Sequence, residues 1–373
     1  MINAERLLTE FLELVRISSP TRGEKEVAAI LREKLEGLGF DVAEDGAGAA
    51  IGGNCGNLIA NLPGSVPEAP VLLLSAHMDC VEPCRCVQPQ VVDGMVRSSG
   101  DTVLGADDKA GLAAILEAVR SVRERGIAHG PIQVVFTIAE EGGLNGAKHI
   151  DRSRLRADFG YVLDSSGTPG EIIVKAPGQN RISTKIYGRA AHAGIAPEEG
   201  VNAIVLAARV ISQIPDGRID EETTANIGIM SGGLATNIVP EAAEIIGETR
   251  SCSLSKLEAL TEQIVDAFVQ GAAARGGRAE VAVSRLYDPY VLTADLPVVK
   301  LAKTAVQALG WQPELRATGG GSDANYYNAY GIPCAVLGIG MQKVHTTAEF
   351  IKVADLCRTA ELVLEIIRQV AEG

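Results

Sequence analysis

The amino-acid sequence predicts an α/β protein with a mostly parallel sheet, into which a smaller α+β domain is inserted. In the first half of the chain, short apolar segments alternate with helical segments, which is typical of parallel sheets covered on both faces. The segment 178–290 follows a β-α-β-β-α-β pattern instead, the split βαβ arrangement of ferredoxin-like domains. We therefore expect a discontinuous domain formed by 1–177 plus 291–373, with the inserted domain at 178–290.

The N-terminal region contains two amphipathic helices. Leu7 and Leu14 lie at a spacing that places them on one helical face, as expected for a helix packed against a core. Pro20 ends the first helix, because proline cannot continue it. Thr21 and Glu24 have the spacing of a capping box, which predicts that they start the second helix.

The remaining elements follow from apolar runs and their period. In the first domain the predicted strands are NLIANL, VLLLSAH, VVFTIAE, YVLD and, near the C-terminus, CAVLGIG. Helices are predicted from about Lys109 to Arg125, after Gly142, and from about Val298 to Leu309. In the inserted domain the strands are NRISTKIYGRAAH, ANIGIMSGG, EAAEIIGETRS and EVAVSRLY, and the helices are NAIVLAARVISQI and SKLEALTEQIVDAFVQGAAA.

Composition narrows the class of protein and its partners. The 373 residues are 46% hydrophobic and 22% charged, so a sizeable core is expected. The net charge is −13 and no segment is rich in Lys or Arg, which argues against nucleic acid or a membrane surface as a partner. No apolar run approaches the roughly 20 residues of a membrane span. Seven cysteines exclude a complete set of intramolecular disulfides, and reduced thiols indicate a cytoplasmic protein.

Polar residues follow three of the predicted strands. His77 ends VLLLSAH, Glu140 and Glu141 follow VVFTIA, and Asp164 ends YVLD. Because ligands of open α/β sheets bind at the carboxyl ends of the strands, we expect these side chains to meet there. Asp79 lies two residues after His77. In an extended segment it points the same way and is expected to hydrogen-bond the far nitrogen of the imidazole.

Two further segments supply metal-binding residue types. Asp107 lies in GADDKAG at the start of a helix, and His345 lies in VHTTAEF. Any one of these residues alone has an ordinary structural explanation, such as an interaction with the helix dipole. Together, two imidazoles and three carboxylates suit a pair of Zn²⁺ ions with one bridging carboxylate; the predicted ligands are His77, Asp107, Glu141, Asp164 and His345. Glu140 is a neighbouring acid that could serve as a general base.

The ordered motifs SAHMD, GADDKAG, AEEGG, LDSSG and HTTAEF resemble those of the co-catalytic zinc metallopeptidases related to peptidase T. Relatives of that family include glutamate carboxypeptidase and the acetylornithine and succinyl-diaminopimelate deacylases. The likeness spans nearly the whole chain and implies a zinc-peptidase catalytic domain with an inserted lid or dimerisation domain. It implies that His77 and Asp164 bind one zinc, Glu141 and His345 bind the other, Asp107 bridges them, Asp79 orients His77, and Glu140 is the general base.

The same resemblance extends to the inserted domain. His192 in GRAAHAG resembles the family histidine that reaches the partner subunit's active site and stabilises the oxyanion, which implies a homodimer through this domain. Asn237 in ATNIVP and Arg250 in ETR resemble the family's substrate-binding residues. Arginine suits a substrate carboxylate because its planar donors bind both oxygens. From the residues alone, an ordinary exposed or core histidine is the favoured interpretation of His192. For Arg250, binding of a substrate carboxylate is favoured over a surface ion pair.

Two segments leave alternatives open. In TGGGSD, Gly319 stands where peptidase T has an arginine, which leaves a strict preference for tripeptides open. A phosphate-binding loop is excluded because the chain lacks G-x-x-x-x-G-K-[ST]. Cys80, Cys84 and Cys86 form the pattern C-x3-C-x-C; an additional thiolate metal site is one interpretation, and ordinary reduced loop cysteines are the favoured one.

The predicted function is metal-dependent hydrolysis of amide bonds in short peptides, as a tripeptidase-like aminopeptidase with two Zn²⁺ ions. Co²⁺ or Mn²⁺ are expected to substitute for zinc. A carboxypeptidase or an N-acyl-amino-acid deacylase would use the same residues. A third alternative, a catalytically silent metal-binding scaffold, has no need for the adjacent acids Glu140 and Glu141.

Overall fold

The structure is a computed structural model that describes residues 2–372. The chain divides into two compact units. Lys175–Val291 and Thr318–Gly321 form the second unit, and the remaining described residues form the first. The segment 178–290, expected from the sequence to be inserted, falls within this second unit.

Ten α-helices are present in the described part of the chain. They are α1 (Ala4–Arg16), α2 (Lys25–Gly37), α3 (Ala47–Ile51), α4 (Ala106–Arg125), α5 (Asn145–Lys148), α6 (Ala203–Ile211), α7 (Leu254–Ala273), α8 (Pro297–Ala308), α9 (Asp323–Ala329) and α10 (Val353–Glu372). Two single 3₁₀ turns occur at Arg152–Arg154 and Pro197–Glu199.

Residues 2–372 also contain seventeen β-strands. In the first half of the chain these are β1 (Asp41–Glu44), β2 (Leu58–Leu62), β3 (Leu72–His77), β4 (Pro89–Val92), β5 (Met95–Ser98), β6 (Ile132–Thr137), β7 (Phe159–Ser165) and β8 (Glu171–Ala176). The others are β9 (Gly178–Tyr187), β10 (Gly217–Arg218), β11 (Thr223–Gly232), β12 (Ala242–Ser251), β13 (Arg278–Tyr287), β14 (Tyr290–Val291), β15 (Glu314–Ala317), β16 (Cys334–Gly338) and β17 (Phe350–Lys352).

The main sheet has the strand order β1-β2-β6-β3-β7-β16-β8, and β14 and β15 pair with β8. The four central strands β6, β3, β7 and β16 are parallel to one another. The strands on either side, β2 and β8, pair with them antiparallel. This arrangement confirms the predicted mostly parallel central sheet, and it brings the carboxyl ends of β3, β6 and β7 to one edge.

Helix α4 is buried on nearly all sides because it contacts β3 and β7 as well as α1 and α10. Its sequence is rich in small and aliphatic residues, which allows neighbours to approach every face. At its start, Asp107 and Asp108 have non-helical backbone angles. Regular helical geometry therefore begins at Lys109, where the sequence predicted the helix.

Thr21 and Glu24 do not form the predicted capping box. Glu24 is itself the N-cap residue of α2, and no side-chain capping bond is present. The Thr21 hydroxyl instead donates to Asp79 Oδ2 at 2.7 Å, and Glu24 Oε1 accepts the N–H of Ala139 at 3.0 Å. The prediction was wrong because these polar groups bind partners brought close by the tertiary fold, which local spacing does not reveal.

The second unit contains a five-stranded antiparallel sheet in the order β10-β11-β12-β9-β13. Apart from the two-residue strand β10, which lies between α6 and β11, its chain order β9-α6-β11-β12-α7-β13 is the predicted β-α-β-β-α-β pattern. Apolar residues of the sheet and of both helices form one core that includes Ile186, Leu206, Ile264 and Phe268. The predicted first strand is shorter than expected, because β9 ends at Tyr187 and the GRAAH segment continues outside it.

Several elements had no counterpart in the prediction. Strands β4, β5 and β17 form a separate three-stranded sheet, and the C-terminal helix α10 packs against α4 and α8. Within residues 2–372, every helix is too short or too polar to cross a membrane.

Candidate metal centre

Five side chains predicted as metal ligands come together in two overlapping groups. His77, Asp107 and Asp164 form one group, and Asp107, Glu141 and His345 form the other. Within each group the candidate ligand atoms lie within 4.8 Å of one another. Asp107 belongs to both groups, which is the position that a bridging carboxylate requires.

The two carboxylate oxygens of Asp107 face different histidines. His77 Nε2 lies 3.0 Å from Asp107 Oδ1, and His345 Nε2 lies 3.4 Å from Asp107 Oδ2. Opposite Asp107, Asp164 Oδ1 lies 4.0 Å from His77 Nε2, and Glu141 Oε1 lies 2.9 Å from His345 Nε2. On each side of the shared acid Asp107 there is therefore one imidazole followed by one further carboxylate.

Backbone position explains how these residues meet. His77 is the last residue of β3 and Asp164 lies at the end of β7, two adjacent parallel strands. Asp107 is one of the non-helical residues at the start of α4. His345 lies in the loop before β17 and has a φ of 63°. The carboxyl edge of the parallel sheet therefore gathers residues from distant parts of the chain, as expected for α/β sheets.

Opposite charges and burial shift the proton affinities of the candidate ligands. Hydrogen bonds with Asp107 and Glu141 raise the pKa of His345 to about 10. Burial alone would raise the pKa of Asp107, but its contacts with His345 and His77 hold it below its usual range. Burial, and after it the charge of Asp107, raises the pKa of Asp164 well above its usual range. Crowded carboxylates of this kind are stabilised by bound cations.

Glu140 lies beside this centre but belongs to neither candidate ligand group. It is 9% exposed. Burial is the main cause that raises its pKa well above the usual range, followed by the charge of Asp164. Its backbone N–H donates to Asp79 Oδ1 at 2.9 Å. A buried acid with raised proton affinity next to, and distinct from, the ligands is suited to transferring protons.

Asp79 contacts His77 differently from the expected carboxylate–imidazole bond. The backbone carbonyl of Asp79 lies 2.9 Å from His77 Nδ1, whereas its carboxylate Oδ1 lies 3.5 Å away. The carboxylate is engaged by Glu140 N–H and by the Thr21 hydroxyl. Asp79 therefore orients the imidazole chiefly through its main chain, while its side chain connects β3 to the loop carrying Glu140.

Four other buried carboxylates surround the centre; the sequence predicted a capping-box role for Glu24 and no role for the other three. They accept hydrogen bonds from groups beside the candidate ligands and are Glu24, Asp108, Asp323 and Glu349. Asp108, Asp323 and Glu349 lie inside motifs that the sequence singled out, GADDKAG, TGGGSD and HTTAEF. That location is the only signal that points to them, because their partners are distant in sequence.

The residues fit divalent metal ions. Imidazole nitrogen and carboxylate oxygen are the donors that Zn²⁺ and related ions prefer. The ammonium of Lys109, which follows Asp107 and Asp108 in the chain, donates to the carbonyl of Ile17 at 2.6 Å. The two groups of side chains therefore form a candidate centre for divalent metal ions.

The cysteines do not contribute to such a centre. Cys80 and Cys84 are buried against Val103, and Cys86 is exposed. In the described residues, neither group of candidate ligands contains a cysteine. The interpretation of the C-x3-C-x-C pattern as ordinary reduced loop cysteines stays a prediction.

The predicted substrate-binding residues lie in the second unit. His192 and Asn237 are both exposed and lie close together, since the N–H of Ala193 donates to the carbonyl of Asn237 at 3.0 Å. Arg250 forms an ion pair with Glu248 on its own strand, with Nε 2.8 Å from Oε1. Its Nη1 lies 3.5 Å from the carbonyl of Gly319. Any anionic ligand of Arg250 would therefore share the guanidinium with Glu248.

Comparison with known proteins agrees with this geometry. Residues 73–369 match the model of Peptidase family M20/M25/M40, and the match includes all five candidate ligands. The chain belongs to this family. It is therefore a metallopeptidase, a metal-dependent hydrolase of peptide bonds. This assignment argues against the third alternative, a catalytically silent metal-binding scaffold.

Similar proteins cover the chain from end to end. Uncharacterized protein YqjE of Bacillus subtilis is 45% identical, and the alignment covers 100% of both chains. The structure of aminopeptidase PepT from Bacillus cereus is 46% identical, with a TM-score of 0.94 over 99% of each chain. A tripeptidase structure from Staphylococcus aureus is 44% identical, with a TM-score of 0.97 over 100% of each chain. The predicted peptidase T-like relationship is confirmed.

Proposed function

We propose that this protein is an aminopeptidase that cleaves short peptides, with a tripeptidase-like preference, at a centre of two Zn²⁺ ions. The observation that carries the proposal is the placement of Asp107, whose two oxygens face His77 and His345 separately. His77 and Asp164 would hold one ion, and Glu141 and His345 the other. When bound, such ions supply Lewis-acid activation of a water molecule and of the scissile carbonyl.

Glu140 is the residue we assign to proton transfer. Its carboxylate would accept a proton from the attacking water and deliver it to the leaving amine. Burial beside Asp164 raises its pKa, so the carboxyl group can hold that proton between the two steps. Asp79 would keep Glu140 in place through the hydrogen bond to its N–H.

Replacement of the proposed base tests this assignment. Glu140→Gln preserves size and removes the proton acceptor, so kcat should fall about 10²- to 10⁴-fold while two metal ions per chain are retained. Steady-state kinetics and elemental analysis of metal content measure the two effects. Glu33→Gln, which changes an exposed glutamate, is the matched control. Turnover near that of the wild type would exclude Glu140 as the base, and loss of metal would assign it to metal binding instead.

The choice between peptidase and deacylase depends on the substrate's amine. An aminopeptidase should hydrolyse tripeptides with a free N-terminus and lose activity when that amine is acetylated. Support for this choice comes from the aminopeptidase and tripeptidase that the chain resembles. Faster hydrolysis of N-acyl amino acids than of tripeptides would favour the deacylase alternative, and release of C-terminal residues from longer peptides the carboxypeptidase.

We also propose that His192, Asn237 and Arg250 bind substrate, and that the second unit forms a homodimer in which His192 acts on the partner's substrate. Apolar side chains near this segment support an interface, since Ile195 is 78% exposed and Leu234 is 91% exposed.

Mixing His192→Ala chains with Glu140→Gln chains tests the arrangement. Mixed dimers should regain activity that neither variant has alone, because one site then has an intact base and an intact partner histidine. Mixtures that stay inactive would argue against action in trans.

A further inference from the structure

Glu349 holds the backbone around the shared acid Asp107. Its carboxylate is 2% exposed and lies four residues after His345. Glu349 Oε1 accepts the N–H of Asp107 at 3.0 Å, and Oε2 accepts the N–H of Gly105 at 2.7 Å. Both oxygens of one buried side chain thus bind the segment that presents Asp107, about 240 residues away in sequence.

The other polar group of the Asp107 backbone is also engaged. Cys80 Sγ, 1% exposed, lies 3.6 Å from the carbonyl of Asp107, a distance at which a thiol donates a weak hydrogen bond. The N–H and C=O of Asp107 are therefore both bound by side chains from distant segments. Because the side chain of Asp107 is short, the orientation of its carboxylate toward His77 and His345 depends on the orientation of its backbone.

We propose that Glu349 is a positioning residue that sets the occupancy of both metal ions together by fixing Asp107. The inference rests on the proposed two-metal function. In the proposed centre, loss of His345 would remove a ligand from one ion only. Misplacement of Asp107 would remove a ligand from both ions. Groups that orient metal ligands in this way typically contribute about 10- to 100-fold to metal affinity.

Glu349→Gln tests the proposal with minimal change in size. The amide keeps one acceptor oxygen but opposes a backbone N–H with its own NH₂ group, so one of the two bonds is lost. We expect the affinities for both Zn²⁺ ions to fall about 10- to 100-fold in parallel, measured by titration with competing chelators. His345→Ala should weaken only one ion, and Glu33→Gln should weaken neither.

Thermal unfolding separates positioning from a general structural role. The rise in Tm on adding Zn²⁺ to chelator-treated protein should shrink in Glu349→Gln. A merely structural effect would lower Tm with and without metal by the same amount and leave the rise unchanged. If Glu349→Gln does not fold, Glu349→Asp, which keeps both acceptors on a shorter stem, should show the same parallel weakening.

The outcomes distinguish this inference from the proposed function. If wild-type protein does not bind two ions, the two-metal proposal fails. If wild type binds two ions and Glu349→Gln binds both with unchanged affinity, or loses only one, the role of Glu349 is overturned and the two-metal proposal stands.

Discussion

Buried acids around the candidate centre accept hydrogen bonds from backbone N–H groups of the candidate ligands or their neighbours. Asp79 binds the N–H of Glu140, Asp108 binds that of His77, and Glu24 binds that of Ala139. Hydrogen bonds from backbone N–H groups offset part of the desolvation cost of burying these carboxyl groups. Acids outside the two groups of candidate ligands therefore hold the backbone of the site in place.

Glu24 gives this arrangement a measurable pH dependence. Burial, followed by the charge of Asp79, raises its pKa from 4.5 to about 7. Between these values the folded state holds a proton that the unfolded state has lost, so stability falls as pH rises through this window. The full shift corresponds to about 3 kcal/mol.

Glu24→Gln removes that titration. We expect the free energy of unfolding of the wild type minus that of Glu24→Gln, measured in the presence of a chelator, to decline from pH 5 to pH 7.5 and then to level off. Urea unfolding at several pH values measures the difference. Parallel stability curves for the two proteins would show that Glu24 titrates normally.

At the scale of elements, the parallel strands that carry the candidate ligands pack through glycine. Gly160 of β7 is the partner of Leu73 in β3. A Cβ atom at Gly160 would lie 2.4 Å from Leu73 Cβ and 2.7 Å from Leu73 O, closer than non-bonded atoms tolerate. The close approach of the strands ending in His77 and Asp164 therefore requires the absence of a side chain.

Gly160→Ala should force β3 and β7 apart and destabilise the fold by about 1–3 kcal/mol. Gly37→Ala is the matched control, because Gly37 ends α2 with no neighbouring atom within 4 Å of an added Cβ. The control should be neutral or stabilise by up to about 1 kcal/mol. Chemical unfolding of both variants measures the change, and similar stability of the two would contradict the steric argument.

At the scale of the whole molecule, the second unit has its own hydrophobic core. Phe268 of α7 is fully buried there with Ile186 and Leu206, whereas its neighbour Val269 is 43% exposed. A core of this kind stabilises the unit without contributions from the rest of the chain.

Phe268→Ala should therefore weaken the second unit by about 3–5 kcal/mol, whereas Val269→Ala should change its stability little. Amide hydrogen exchange should report the loss of protection in the strands and helices of the second unit, with the parallel sheet of the first unit largely unchanged. Equal loss of protection in both units would show that they unfold as one.

Apolar periodicity and short motifs are local properties of the chain. They were therefore enough to predict the fold class, the different patterns of secondary structure in the first domain and in 178–290, and the family. The order of motifs also pointed to His77, Asp107, Glu141, Asp164 and His345, which the structure brings into two groups sharing Asp107. Their roles as ligands remain the proposal made above.

The partners of individual polar side chains are visible only in the folded chain. Thr21 and Glu24 have local capping-box spacing, yet they bind Asp79 and Ala139. Arg250 is paired with Glu248, and Glu349 binds the backbone of Asp107. Each of these contacts depends on side-chain direction, and most also depend on chain segments far apart in sequence. Hydrogen-bond partners of that kind are set by packing, which a linear pattern of residue types does not specify.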